Sequence, residues 1–246
     1  MSSHTNTAEP VPPAIGIILL ETRFPRIPGD VGNPATFPFP VLYRVVEGAS
    51  PRRVVKEADP LLLEPFLQAA RDLEDRGVKA IATSCGFLAL FHPQLVNAVH
   101  IPVFTSSLLQ VPAARSVIGA GQRVGIVTAR LQSLTATHLA GVGIDLETVA
   151  MIGMEEAEEF TAVFIDGKRE LDVEKCRREM VKAAIRLVES HPETGALVLE
   201  CANMPPYAAD VQKAVGLPVF DAVTLINHAH SVVVRHGFNW REHRPA

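Results

Sequence analysis

The sequence predicts an α/β fold of two pseudo-symmetric halves, each built on a parallel sheet, with the active site at their interface. Three observations predict it. Short apolar runs alternate with amphipathic stretches along the 246 residues, as in a parallel sheet covered by helices on both faces. A strand–cysteine–helix–strand unit occurs twice. Each cysteine directly follows an apolar run, where the carboxyl ends of parallel strands form binding sites.

Seven apolar runs are predicted to be strands, and residues 145–152 are predicted to add an eighth. Several of the seven are unbroken runs of Val, Ile, Leu and Ala, which is typical of strands buried on both faces. The seven runs cover residues 14–20, 41–46, 79–84, 101–106, 123–129, 195–200 and 217–222. Amphipathic stretches at 60–77 and 171–191 predict helices, the first of which ends at Gly77. Strands and helices of this size form βαβ units.

A repeat divides the chain into two parts. The offset that carries Cys85 onto Cys201 also carries "IPVF" at 101–104 onto "LPVF" at 217–220. We therefore predict two α/β halves with a ligand cleft between them.

The boundaries of these parts follow from the repeat and from composition. The first half is predicted over 14–118 and the second over 119–236. Residues 1–13 are polar and proline-rich without a basic or apolar region, which indicates a disordered leader and not a signal peptide. Residues 237–246 are predicted to be a tail.

Composition excludes several classes of partner. The net charge is −4 and no block of Lys or Arg stands out, so neither nucleic acid nor an anionic membrane surface is an expected partner. No apolar run has the length of a membrane span. Three cysteines without a secretion signal argue against a disulfide framework. We predict a cytoplasmic protein with reduced thiols.

The two strand-end cysteines suit one reaction class, stereoinversion by two bases. If Cys85 and Cys201 face one cleft, one thiolate can remove a proton next to a carboxylate or carbonyl. The other thiol can then deliver a proton to the opposite face. Helices that begin just after each cysteine are expected to lower the thiol pKa and to offer N–H groups to an anion. Cys176 lies mid-helix among charges and has no predicted role.

Donors for the developing negative charge are expected at the same strand ends. The candidates are Ser84, Thr83, Thr128, Asn203 and the backbone N–H groups of Gly86 and Ala202. Because side chains alternate along a strand, Thr83 and Ser84 cannot both face the cleft. For the same reason Glu200 is predicted to point away from Cys201.

The segment over residues 21–40 carries five prolines and leaves the carboxyl end of the first strand. It is therefore predicted to be an ordered connection over the cleft. Arg23 and Arg26 are its cations, and arginine binds carboxylates bidentately. Arg23 is the preferred candidate for substrate contact. The alternative is that both arginines are solvated or paired with Asp30 or Glu21.

With "TSCG" at 83–86 and "LECANM" at 199–204, the chain resembles the aspartate/glutamate racemase superfamily over roughly residues 14–236. That group includes proteins similar to hydantoin racemase and to arylmalonate decarboxylase. The resemblance implies that Cys85 and Cys201, one per half, are proton-transfer bases that need no cofactor. It also implies that Thr128 lines an anion pocket and that the protein is a homodimer.

Two positions depart from the amino-acid racemases. Those enzymes follow the first cysteine with Asn-Thr, which holds the substrate α-carboxylate, whereas this chain has Gly86 and Phe87. Ala202 and Asn203 follow the second cysteine, which is closer to the hydantoin racemase relatives. Decarboxylase relatives keep only the second-half cysteine, so retention of Cys85 favours a racemase or epimerase.

The sequence thus predicts a cofactor-independent racemase or epimerase that acts on a small anionic or amide-bearing substrate, such as an amino acid or a hydantoin. No Cys, His or Asp cluster has metal-ligand spacing. One alternative is a decarboxylase or cis–trans isomerase of small carboxylic acids, in which a single cysteine is essential. Another is a two-lobed small-molecule binder without chemistry, which would tolerate serine at both cysteine positions.

Overall fold

The computed structural model describes residues 13–238. The predicted leader and tail lie outside these residues, except for positions 13, 237 and 238. The strands of the described range are β1 Ile15–Leu20, β2 Val41–Val46, β3 Ala80–Thr83, β4 Val103–Phe104, β5 Arg123–Thr128, β6 Val149–Gly153, β7 Thr194–Leu199 and β8 Val219–Phe220. Its α-helices are α1 Leu63–Asp75, α2 His92–Ala98, α3 Val111–Ser116, α4 Ala136–Gly141, α5 Glu158–Phe164, α6 Val173–Ser190, α7 Ala208–Val215 and α8 Ala222–Val233.

The strands form two parallel four-stranded sheets with equivalent orders, β2-β1-β3-β4 and β6-β5-β7-β8. This confirms the predicted α/β class and both predicted helices. The central strands β1, β3 and β7 are buried throughout, as their unbroken apolar runs indicate. In both sheets the order reverses at the first strand of the half, which places a cleft at the carboxyl ends of the central strands.

The strands β4 and β8 are shorter than the sequence indicates. Each keeps two residues, although the runs at 101–106 and 217–222 predict about six. Pro102 and Pro218 precede the paired residues, and a proline has no N–H to donate. Their carbonyls still accept from Ile81 and Leu197 of the neighbouring strands.

The last helix of each half packs on the sheet of the other half. Ala222, Ile226 and Ala229 of α8 belong to the apolar cluster that covers Ile15 and Ile17 of β1. In the reverse direction α3 lies against β5 and β7. None of the helices between residues 13 and 238 has both the length and the apolar composition needed to span a bilayer.

Candidate active site

Cys85 and Cys201 follow the central strands β3 and β7 and line one cavity between the halves. Both thiols are buried, with 6% and 8% of each residue exposed. The cavity has a volume of about 20 Å³, which is room for about one water molecule. Its lining consists of Leu20, Thr22, Phe24, Arg26, Pro51, Val55, Ser84, Cys85, Phe87, Ala129, Phe164, Ile165, Cys201 and Asn203.

Cys85 lies at the start of a 3₁₀ helix over Gly86–Phe91. As predicted, backbone N–H groups of this helix, those of Phe87 and Leu88, point at its sulfur and favour the thiolate. Burial outweighs them, however, and together with the charge of Glu200 it raises the pKa of the Cys85 thiol far above its usual range. The expected lowering of the thiol pKa is therefore wrong, because the sequence does not reveal the depth of burial.

Cys201 is not followed directly by a helix. The chain makes a turn after Cys201, and the next helical residues form the 3₁₀ turn Pro205–Tyr207. Proline is favoured at the first position of a helix, which explains why this turn begins at Pro205. The Cys201 sulfur donates to Oδ1 of Asn203 over 3.4 Å. Burial, then the charges of Glu200 and Cys85, raise the pKa of the Cys201 thiol well above its usual value. Burial thus favours the neutral form of both thiols that line the cavity.

Glu200 is a buried carboxyl that sequence reasoning did not assign to the site. Its side chain points away from the shared cavity, as strand alternation predicts, and its Oε2 accepts from the Thr128 hydroxyl at 2.9 Å and from the Ala129 N–H at 3.1 Å. Burial raises the Glu200 pKa to about 7. No pattern within one half could reveal this group near Cys85, because the halves must first pack together.

A chain of polar contacts links the proline-rich loop to Cys201. Asn203, which accepts from the thiol, donates through Nδ2 to Oδ2 of Asp30 at 2.6 Å. The other carboxylate oxygen of Asp30 pairs with Arg26 at 2.7 Å. The backbone N–H of Val31 also donates to the carbonyl of Ala202. The predicted position of this loop over the cleft is confirmed.

Arg26, and not Arg23, reaches the cavity. Residues 22, 24 and 26 face inward, whereas residues 21, 23 and 25 are exposed. This alternation is that of an extended chain continuing from β1, and it was available in the sequence. Arg26 also donates to the Thr22 hydroxyl at 2.9 Å and lies over the Phe24 ring. Arg23 lines an outer pocket of about 290 Å³ that shares Phe24 and three more residues with the cysteine cavity.

The other predicted donors divide into two groups. Ser84 and Asn203 line the cavity with the cysteines, although the Ser84 hydroxyl accepts from the backbone N–H of Leu20. Three more candidates, Thr128, Gly86 and Ala202, are absent from that lining. Thr128 instead holds Glu200, whereas Gly86 and Ala202 line a smaller cavity behind the cysteines. Thr83 turns away and donates to a carbonyl in the same half, as the alternation predicts.

Aromatic and aliphatic side chains form the remaining walls. Phe24 and Phe164 meet edge to face, with ring centroids 5.1 Å apart, and bring together the first-half loop and α5 of the second half. Phe87 contributes a third ring to the cavity. The site therefore combines two thiols and one guanidinium with a largely apolar surround.

We expect the substitution Asp30→Ala to destabilise the protein, because it leaves the partly buried Arg26 and the buried Asn203 without their shared partner. The expected loss is about 2–3 kcal/mol of unfolding free energy, measured by urea denaturation. Asp166→Ala is the matched control, since its ion pair with Lys56 is largely exposed and should contribute about 0–1 kcal/mol. Equal effects of the two variants would contradict the role given to Asp30.

Known proteins with similar sequences include two algal lyases. The chain is 32% identical over 217 residues to dimethylsulfoniopropionate lyase of Durusdinium sp. clade D, which covers 85% of this chain and 71% of that protein. It is 32% identical over 225 residues to dimethylsulfoniopropionate lyase 6 of Emiliania huxleyi, covering 87% of this chain and 58% of that longer protein.

A solved structure and a family model match the fold. Allantoin racemase from Klebsiella pneumoniae superposes with a TM-score of 0.60 at 17% identity, covering 89% of this chain and 87% of that one. The family model for Asp/Glu/Hydantoin racemase matches residues 47–229, which is more than half of the chain. The chain with the two facing cysteines therefore belongs to the Asp/Glu/hydantoin racemase family.

Proposed function

We propose that the protein is a lyase that acts on small β-sulfonium carboxylates of the dimethylsulfoniopropionate type. It would remove a proton next to the carboxylate and expel a neutral sulfide from the adjacent carbon. The composition of the cysteine cavity carries the proposal: two thiols and one guanidinium lie among apolar and aromatic groups, and no carboxylate is among the described lining residues. The sequence similarity to proteins named as such lyases supports the same class.

Arg26 is the proposed anchor for the substrate carboxylate. Its guanidinium uses one N–H group toward Asp30 and one toward Thr22, which leaves three of its five donors. The planar fork of an arginine suits a carboxylate held through two hydrogen bonds. This anchor would orient the adjacent carbon toward the thiols.

The cation of the substrate distinguishes a sulfonium acid from an amino acid. An α-ammonium group brings three N–H donors, and burying them without acceptors is costly. A sulfonium has no N–H or O–H donor, and aromatic faces attract a cation. Phe87 and Phe164 line the cavity and are the candidate rings, since Arg26 already lies over the ring of Phe24. The cavity therefore favours a sulfonium over the ammonium of an amino-acid racemase substrate.

The charge of the substrate also activates the base. A positive charge within a few ångström favours ionisation of a thiol, so the bound sulfonium would offset the burial that keeps Cys85 and Cys201 neutral. The thiolate takes the proton from the carbon next to the carboxylate, and the released electron pair forms the carbon–carbon double bond. The bond from the β-carbon to sulfur breaks with its electrons on sulfur. The products are dimethyl sulfide, acrylate and one proton.

A product assay tests the proposal. Purified protein is incubated with dimethylsulfoniopropionate, dimethyl sulfide is measured in the headspace by gas chromatography, and acrylate is measured by NMR. Parallel samples in D₂O contain single enantiomers of aspartate, glutamate and 5-substituted hydantoins. Release of both products supports the lyase, and their absence from folded protein with free thiols overturns it.

A two-base racemase or epimerase is the second candidate. It is favoured by one observation, that thiols from opposite halves of the chain line a single cavity. Deuterium uptake with inversion of an amino acid or a hydantoin, without release of sulfide, would establish this reaction in place of the elimination.

We expect Arg26→Met to reduce kcat/KM for dimethylsulfoniopropionate about 10–100-fold, because a hydrogen bond to a charged group contributes about 1.5–3 kcal/mol. Most of the loss should appear in KM, since the carboxylate is bound before and during the reaction. Arg23→Met is the matched control on the same loop and should leave both constants near those of the parent protein, because Arg23 is exposed. A larger loss of kcat/KM in Arg23→Met than in Arg26→Met would indicate that Arg23, and not Arg26, anchors the carboxylate.

A further inference from the structure

Glu200 lies behind the cysteine pair and lines a rear cavity that is separate from the cysteine cavity. This cavity, of about 10 Å³, is lined by residues of both halves, and Gly86 belongs to it. Glu200 itself is only 1% exposed. The rear cavity is at the lower limit for a single water molecule, and Glu200 does not line the cysteine cavity in which the proposed substrate binds.

The two oxygens of the Glu200 carboxyl have different surroundings. Oε2 is held by Thr128 and Ala129 of the second half. Oε1 has no hydrogen-bond partner among the described residues and lies against Gly86 of the first half. The side chain is therefore fixed at one end and directs its unpaired oxygen to the residue next to Cys85.

Both thiols lie within the electrostatic reach of this carboxyl. Burial is the largest cause of the raised thiol pKa at Cys85 and at Cys201, and the charge of Glu200 is the second largest. Two further charged groups face the pair: the carboxylate of Asp30 acts on Cys201, and the guanidinium of Arg26 lines the cysteine cavity. The residues of α8 that line the rear cavity are Ala222, Leu225 and Ile226, none of which is titratable. From the first half it receives Thr83 and the 104–107 segment, whose side chains are apolar or hydroxyls.

We propose that Glu200 controls the ionisation of both active-site thiols from this single buried position. When the carboxyl carries its charge, it restrains Cys85 and Cys201 from becoming thiolates until a cationic substrate enters. When it is protonated, that restraint is absent. The inference rests on the proposed function in one respect, that a thiolate is the base. Glu200 acts through the thiols and is a positioning residue, not a catalytic one.

The variant Glu200→Gln tests this. It keeps an oxygen that accepts from Thr128 and Ala129 but removes the charge. The ultraviolet absorbance of thiolate is followed against pH in the free full-length protein, and folding is checked by circular dichroism. Removing a nearby like charge should lower the ionisation midpoint of the thiols by about one pH unit. The sign follows because Glu200, with its pKa of about 7, is charged throughout the pH range in which the parent thiols ionise.

Two further variants complete the test. Glu174→Gln removes an equal charge from an exposed site on α6 and should leave the midpoint unchanged. If Glu200→Gln does not fold, Glu200→Met removes the same charge with a side chain of similar length. An unchanged or raised midpoint in a folded Glu200 variant overturns the proposal.

The rate measured against pH separates this inference from the proposed function. In Glu200→Gln the rising limb of the elimination rate should move to lower pH by the same shift as the thiolate midpoint. A shifted midpoint in a protein that releases no sulfide would sustain the control by Glu200 and overturn the lyase. Release of sulfide by a protein whose thiolate midpoint is unshifted in Glu200→Gln would support the lyase and overturn the control by Glu200.

Discussion

Cys85→Ser is expected to lower kcat for the proposed elimination by about 10²–10⁴-fold, the usual contribution of a positioned general base. We expect Cys85 to be the base, because two backbone N–H groups face its sulfur, whereas the Cys201 sulfur receives one, that of Asn203. The pKa of Cys201 is also raised by the carboxylate of Asp30, and its thiol donates a hydrogen bond to Asn203. An elimination requires a single base, so Cys201→Ser should cost much less, no more than about tenfold, because a serine hydroxyl can still donate to Asn203.

Steady-state release of dimethyl sulfide by the two variants measures this difference. Cys176→Ser is the control: its thiol is also buried but lies on α6, outside the cavity lining, and activity per folded molecule should be unchanged. Equal losses of 10²-fold or more in both active-site variants would show that the elimination needs both thiols, and would contradict the single-base role given to Cys85.

Gly86→Ala is expected to be the most disruptive single methyl group in the site. A Cβ at this position would contact the main-chain oxygen and Oε1 of Glu200, with its Cδ only 2.8 Å away. Part of the obstruction is backbone, so rotation of the Glu200 side chain cannot relieve it. Overpacking of this kind costs about 1–3 kcal/mol, and it would also separate the two halves where the thiols meet.

Urea denaturation of Gly86→Ala measures the stability loss, and the sulfide assay measures the loss of function. Gly121→Ala is the matched control, because nothing lies within 4 Å of its added Cβ. It should be neutral or slightly stabilising. A Gly86→Ala protein as stable and active as this control would show that the contact with Glu200 is not required.

The fold and the location of the site were predictable from patterns in the sequence alone. Apolar runs predicted the positions of the strands, and the common offset of Cys85/Cys201 and of the two PVF segments predicted the repeat. The first signal depends on neighbouring residues and the second on comparing the chain with itself, so neither requires knowledge of packing. The inward position of Arg26 was also within reach, because the alternation after β1 distinguishes it from Arg23.

Properties that arise between the halves were not predictable. Glu200 belongs to the second half, and its unpaired oxygen meets Gly86 of the first only after the sheets pack. The direction of the thiol pKa likewise depends on two opposing effects, helix N–H groups and burial, and the sequence shows only the first. An amino-acid substrate followed from the resemblance, whereas the lining of the cavity argues for a cation without N–H donors.

The crossing of α8 onto the first sheet has a consequence for biosynthesis. Ile15 and Ile17 leave the ribosome long before Ile226, yet their cover includes that residue of α8. We expect the nascent first half to keep an exposed apolar face until α8 has been synthesised, a state that chaperones bind and that aggregates readily. A chain stopped after the first half should therefore be insoluble, even though it contains a whole sheet.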